Sequence, residues 1–302
     1  MFTSNTNRPP GDQNKPAIIA GTAPMEVMSD VMTDAIVKEN IGQSRSLMLR
    51  LLKYVLLDIL KNRMIFFYTL FLLAVSFGLF LMSGDAMKGL VSLLNIVLLV
   101  TPLLSIIFST IYFYNSYEFI ELLASQPIRR RTILFSQYFG LTISLLISLL
   151  IGVGVPVLIY APLREGITLL LAAGGLTMAF VSMALLSALL TRDKARGIGL
   201  SIMLWFYFSL LYDAIMLMIM FAFIDYPMEG ITLLMVALNP IDLARVVVLL
   251  QLDISALMGY TGAMMQELLG KSYGILAATG VMLMWILIPL GIAARKFKKR
   301  DL

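Results

Sequence analysis

The 302-residue chain contains no cysteine and no histidine. Without thiols there is no disulfide framework, and the redox compartment leaves no trace in cysteine usage. Without either residue, zinc sites of the Cys/His kind are excluded, as are serine–histidine and cysteine–histidine nucleophile pairs. Charge is scarce as well. Only 14% of the residues are charged, against about 25% in a soluble domain. Hydrocarbon takes their place: 60% of the chain is hydrophobic and the mean hydropathy is +0.91. Such a chain belongs in a bilayer, and it is better counted in spans of roughly 20 apolar residues than in domains.

Long uncharged runs are what the sequence does have. They lie at Met64–Gly84, Gly89–Tyr117, Thr132–Leu163, Gly166–Thr191, Gly197–Ile224 (interrupted only by Asp213) and Ser272–Ala294. Backbone polar groups find no water in hydrocarbon, so each run must be helical. None shows the alternation of a lipid-facing barrel strand. An all-α membrane protein follows, with spans at about 64–84, 90–114, 133–161, 167–190, 198–224 and 273–294, and no internal repeat is visible.

Lysine and arginine orient the spans. One side collects Arg45, Arg50, Lys53, Lys61 and Arg63, then Arg129–Arg131, then Arg192, Lys194 and Arg196, and finally Arg295, Lys296, Lys298, Lys299 and Arg300. The other side holds only Lys88, Arg164, Arg245 and Lys271. The rule places the first set, and both termini, in the cytoplasm of a bacterial inner membrane. The net charge of +5 is then membrane-surface charge, directed at lipid and not at nucleic acid. Residues 1–44 are polar and proline-rich, which predicts a disordered tail with a short helix around Met25–Glu39 and no signal peptide. Residues 45–63 read RSLMLRLLKYVLLDILKNR. This is an amphipathic helix in the interface, or an early start of the first span. Residues 295–302 form a basic tail.

The outer segment, 225–271, has no single run that spans. Asn239-Pro240 breaks it, because the residue before proline is disfavoured in helix. Short helices outside the bilayer, or re-entering it, are expected in this segment before the last span, with a hidden pair of spans as the alternative. Asp213 is a carboxylate at bilayer depth, which is costly and usually faces a cavity or bundle interior. It reads as a gating or substrate-path residue, or as a structural aspartate held by Tyr207 or Tyr212. The 21 methionines include Met216 and Met220 on one face and Met258, Met264 and Met265 outside. Thioethers suit Cu(I), but they also pack irregular apolar interfaces, and no metal site is read from them. Gly270-Lys271-Ser272 is not a P-loop, since the glycine that the pattern requires is Met265. No nucleotide-binding element occurs in the chain, so the sequence is read as non-catalytic and without a bound cofactor.

The loop after the second span reads NSYEFIELLASQPIRRRTILFSQYFG over residues 115–140. Phe119, Ile120, Leu122 and Leu123 form an apolar stripe, with Glu118, Glu121 and Ser125 on the other face at spacings of three and four. Gln126-Pro127 ends the helix, and Arg129, Arg130 and Arg131 fix the next span at the headgroups. Residues 117–125 are thus expected to be a short acidic helix lying flat on the cytoplasmic surface. Here the sequence resembles the ABC-2 family of ABC transporter permeases over residues 45–302, with Glu118, Glu121, Leu122, Leu123, Pro127 and Arg130 matching the E-x-x-E-L-L and P-x-x-R pattern. The resemblance implies a six-span permease dimer whose loop helix docks into a separate cytoplasmic ATPase carrying ATP-Mg. A narrower resemblance, over NPIDLARVVVLLQLDISALMGYTG at 239–262, is to the permease of nitrous-oxide-reductase maturation. It implies that Asn239, Pro240, Asp242, Arg245, Asp253 and Tyr260 face a periplasmic β-helical protein, in the service of a copper centre. The leading 44 residues are not a feature of that resemblance, and their role stays open. Rival readings are an ion-coupled secondary transporter using Asp213 and a passive membrane anchor for a periplasmic complex. An aspartyl intramembrane protease needs two facing aspartates in the spans, and only Asp213 is present.

Overall fold

The computed structural model describes residues 49, 51–125, 129–223, 229–251 and 259–299. The tail at 1–44 and residues Gln126, Pro127 and Asp253 lie outside this set. Among the described residues every regular element is helical. Residues 51–60 form α1. It is followed by α2 (Arg63–Ser83), α3 (Ala86–Asn115), α4 (Tyr117–Ala124), α5 (Arg130–Leu149), α6 (Val155–Tyr160), α7 (Leu163–Leu190), α8 (Lys194–Phe206), α9 (Tyr212–Ala222), α10 (Glu229–Ala237), α11 (Pro240–Gln251) and α12 (Gly259–Lys299). Single π-helical turns, Leu150–Gly154 and Tyr207–Leu211, join α5 to α6 and α8 to α9. Six helical stretches are long and apolar enough to cross a membrane: α2, α3, α5–α6, α7, α8–α9 and Leu276–Lys298 of α12. The arginine- and lysine-rich connections therefore share one face of the bundle, called here the basic face.

Local chemistry sets the breaks. Asn62 is extended, and its Oδ1 accepts from Met64 N at 2.9 Å, which separates α1 from α2. Gly84, at φ 63°, takes the left-handed C-terminal position that a side chain would resist. Asp85 then caps α3 by accepting from Met87 N at 2.9 Å. In the third span, Pro156 has no N–H for the helical ladder, and the π turn ends two residues before it, at Gly154. α1 buries Val55 and Ile59 and leaves Lys53, Tyr54 and Leu57 outward. It lies so close to α5 that a Cβ on Gly140 would collide with the Val55 side chain, and Tyr112 of α3 donates its hydroxyl to Asp58 at 2.9 Å.

α7 is the central column: 72% of its apolar window is buried, against 11% for α8–α9. Small residues, Ala172, Ala173, Ala179, Ala184 and Ala188, let its neighbours close in. Hydroxyls knit the helices together. Ser201 of α8 lies 2.7 Å from Thr110 of α3 and 2.6 Å from Ser187 of α7. The π turn at Leu150–Gly154 rests on α2, where a Cβ on Gly152 would fall 2.7 Å from Leu72 Cβ and 3.1 Å from the Thr69 carbonyl oxygen. Gly154, two residues on, meets only Leu150 and Leu170 at 3.7 Å. Gly152→Ala is therefore expected to cost about 1–3 kcal/mol, read as a lower thermal midpoint in detergent, while Gly154→Ala leaves the midpoint where it is. Equal melting of the two variants would refute this account of the α2 contact.

α12 departs from the sequence reading. Only short helices were expected in the outer segment up to residue 271, but a 41-residue helix runs unbroken from Gly259 into the last span. Glycine weakens a helix interior by about 1 kcal/mol without breaking it, and there is no proline in α12 before Pro289.

Candidate functional site

α4 leaves α3 through one residue, Ser116, whose N–H donates to Tyr112 O at 2.9 Å and whose carbonyl accepts from Ile120 N at 2.9 Å. Two of its apolar residues anchor it: Ile120 is fully buried and Leu123 nearly so. The Phe119 ring sits 5.4 Å from that of Tyr54 on α1. Glu118, Glu121 and Ser125 point to solvent. Leu122 does not lie on the buried stripe where the pattern put it: it is 66% exposed, next to the two glutamates. A helix seated on one edge presents its remaining residues outward, and here these are two carboxylates around one leucine. Arg129, extended and exposed, precedes α5, and Arg130, half-buried, opens it.

This surface helix is wired into the bundle through the last turn of α3. The Tyr114 hydroxyl lies 2.7 Å from Thr191 Oγ1 and donates toward the Ala188 and Thr191 carbonyls at 3.2 Å each, where α7 ends. Its ring fills the space beside Gly197, where any Cβ on α8 would strike it. Lys194 donates to Asn115 Oδ1 at 2.7 Å. The ends of α3, α7 and α8 are thus joined within one turn of α4.

The second constellation lies toward the opposite face. α10 and α11 bend by 113° about Asn239, as a broken span or a re-entrant loop would. Asn239 is fully buried. Its Oδ1 accepts from Ile241 N at 3.0 Å, and its Nδ2 donates to Phe208 O at 2.9 Å and to Asp242 Oδ2 at 2.8 Å. Phe208 sits in the π turn of the fifth span, and π turns loosen the helical ladder. The carbonyl ends of α10 are also taken: Tyr212 donates to Met235 O at 2.6 Å and Trp285 to Ala237 O at 3.1 Å. Backbone that leaves the helix at membrane depth is tolerated where protein satisfies it in this way.

Beside the bend, Arg245 Nη1 lies 3.1 Å from Asp242 Oδ1 and 3.5 Å from Asp213 Oδ2. Asp213 is therefore held by an arginine from α11 and not by Tyr207 or Tyr212. Two carboxylates share one guanidinium. Asp242 is nearly enclosed, while the Arg245 and Asp213 side chains are 35% and 34% exposed. Sequence reasoning assigned Asp213 to a span and Arg245 to the outer segment; the bend brings them together. Asn239 and Asp242, offered by resemblance to a periplasmic partner, spend their polar atoms inside this cluster. Pro240 opens α11 and Tyr260 lies in the first turn of α12.

Six helical stretches of membrane-spanning length, an acidic helix on the basic face and a bent helix pair before the last span define a multi-pass membrane protein. The model of one family, described as ABC-2 family transporter protein, matches residues 11–302. The chain belongs to this ABC-2 family. The matched region takes in most of the leading segment that the residue-by-residue resemblance had left out. No match was found among curated proteins.

Proposed function

We propose that this chain is the permease subunit of an ATP-driven ABC transporter in a bacterial inner membrane, with both termini and the basic face in the cytoplasm. It works as a homodimer on two copies of a separate ATPase, which binds ATP-Mg. The observation that carries this reading is α4, anchored by Ile120 and Leu123 and presenting Glu118, Leu122 and Glu121 outward. Gln126, Pro127, Arg129 and Arg130 complete the docking surface by resemblance.

ATPase closure presses on α4. Since α4 follows α3 after one residue, the push reaches Tyr114 and the joined ends of α7 and α8. The α8–α9 span carries it to the Asp213–Arg245–Asp242 cluster, and so to the α10–α11 pair. A narrower purpose, maturing the copper centre of a periplasmic nitrous oxide reductase with a β-helical partner, rests on the resemblance at 239–262 alone. In that reading Asn239 and Asp242 shape the segment, and the partner meets residues around them.

The test is purification from native membranes in mild detergent. A soluble chain with a phosphate-binding loop, present at equal stoichiometry and released or retained according to ATP and vanadate, supports the proposal. A chain that purifies alone and is indifferent to both ATP and vanadate refutes it, and turns attention to Asp213 and ion coupling.

A further inference from the structure

We propose that the groove where α7 and α12 end on the basic face binds the headgroup of an anionic phospholipid. The cavity measures about 490 Å³ and is lined by Leu189, Leu190, Thr191, Arg192, Ile292, Arg295 and Lys296. Its two halves differ in chemistry. Leu190 and Ile292, both more than 40% exposed, continue the apolar surface of the spans. Arg192, Arg295 and Lys296 are exposed at the rim. No carboxylate lines it. The nearest in sequence, Asp193, is committed to capping α8 through Ala195 N and Arg196 N. Arg192, Arg295 and Lys296 take part in neither of the salt bridges seen among the described residues, so three cations line one cavity that holds no carboxylate. The helix ends offer them only about half a negative charge each.

Three like charges around one cavity repel, and an anion offsets that repulsion. A phosphodiester with two acyl chains answers both halves of the groove: its charge meets the rim and a chain lies along Leu190 and Ile292. Basic pockets between spans at a membrane surface take such headgroups. A free phosphate satisfies the rim alone, which is how the two sources are told apart.

The experiment is native mass spectrometry of the full chain, exchanged into detergent with phosphatidylglycerol, cardiolipin or phosphatidylcholine added in turn. The expected result is retention of the two anionic lipids and not of phosphatidylcholine. The triple variant Arg192→Gln, Arg295→Gln, Lys296→Gln is expected to reduce retention about tenfold or more. The control variant Lys53→Gln, Lys61→Gln, Arg63→Gln removes three exposed charges near the start of the first span and is expected to keep most of it. Equal loss in both variants would mean diffuse surface attraction, and would overturn the site. So would undiminished binding by the first variant. Displacement of the lipid by inorganic phosphate at millimolar concentration would show an anion site without lipid selection, and the lipid assignment would fall.

Discussion

Replacing Arg245 by alanine is expected to lower the stability of the purified protein by about 3 kcal/mol. The guanidinium stands between Asp242 at 3.1 Å and Asp213 at 3.5 Å. Without it, two carboxylates face each other at membrane depth with no counter-charge. Loss of one partner from a buried pair costs about 3–5 kcal/mol. The lower end applies, since Arg245 and Asp213 are about one-third exposed. The cost comes from the stranded carboxylates and not from the lost contact. The triple variant Arg245→Met, Asp213→Asn, Asp242→Asn should therefore melt close to the unmodified chain, above Arg245→Ala. Thermal unfolding in detergent separates these outcomes. An Arg245→Ala protein as stable as the original, or a triple variant no better than the single one, would show that the cluster does not tie α11 to α9. If the cluster also relays motion, the triple variant should fold but transport poorly, because it keeps the shape and lacks the charged tie.

The second large effect is expected at α4. Glu118→Ala with Glu121→Ala should weaken association with the proposed ATPase by about 30-fold, roughly 2 kcal/mol in hot-spot terms. Leu122→Asp should do at least as much, by placing a third carboxylate where the partner expects an apolar knob. None of these three side chains packs into the bundle, so melting temperature and yield should stay unchanged. Ile120→Ala is the counter-example: that side chain is fully buried, its loss leaves a cavity worth about 2–5 kcal/mol, and both stability and association should suffer. Co-purification and ATP turnover of the reconstituted pair provide the readout. Unaltered association in the Glu118/Glu121 and Leu122 variants would dissociate α4 from the coupling role, whatever the family.

The spans were legible because a membrane helix closes its hydrogen bonds locally: four residues away is partner enough. The six uncharged runs each became a helix, with caps at Asn62, Asp85 and Asp193 marking starts. The break at Asn239-Pro240 was equally local, and α11 begins at Pro240. The π turns were not legible. Nothing in YFSLL or LIGVG distinguishes an i→i+5 turn from the helix around it until neighbouring helices engage the loosened backbone.

The same division holds for the candidate site. Alternation at spacings of three and four established that α4 is amphipathic, but not which edge the bundle would cover. Phe119, Ile120, Leu122 and Leu123 compete for that edge, and the answer, Leu122 outward, depends on where α1 brings Tyr54 and where α3 ends. The ion-pair cluster was further out of reach. Asp213 and Arg245 are 32 residues apart, as are Asn239 and its acceptor Phe208 to within one residue. Sequence by itself determined the bilayer, the six helices, the basic face and the acidic surface helix, because each follows from hydrophobicity and charge over a few turns. Only the tertiary structure decided that the outer segment folds back by 113° and delivers an arginine to an aspartate in the fifth span. That pairing is set by how α11 packs on α7 and α12, and no local pattern encodes it.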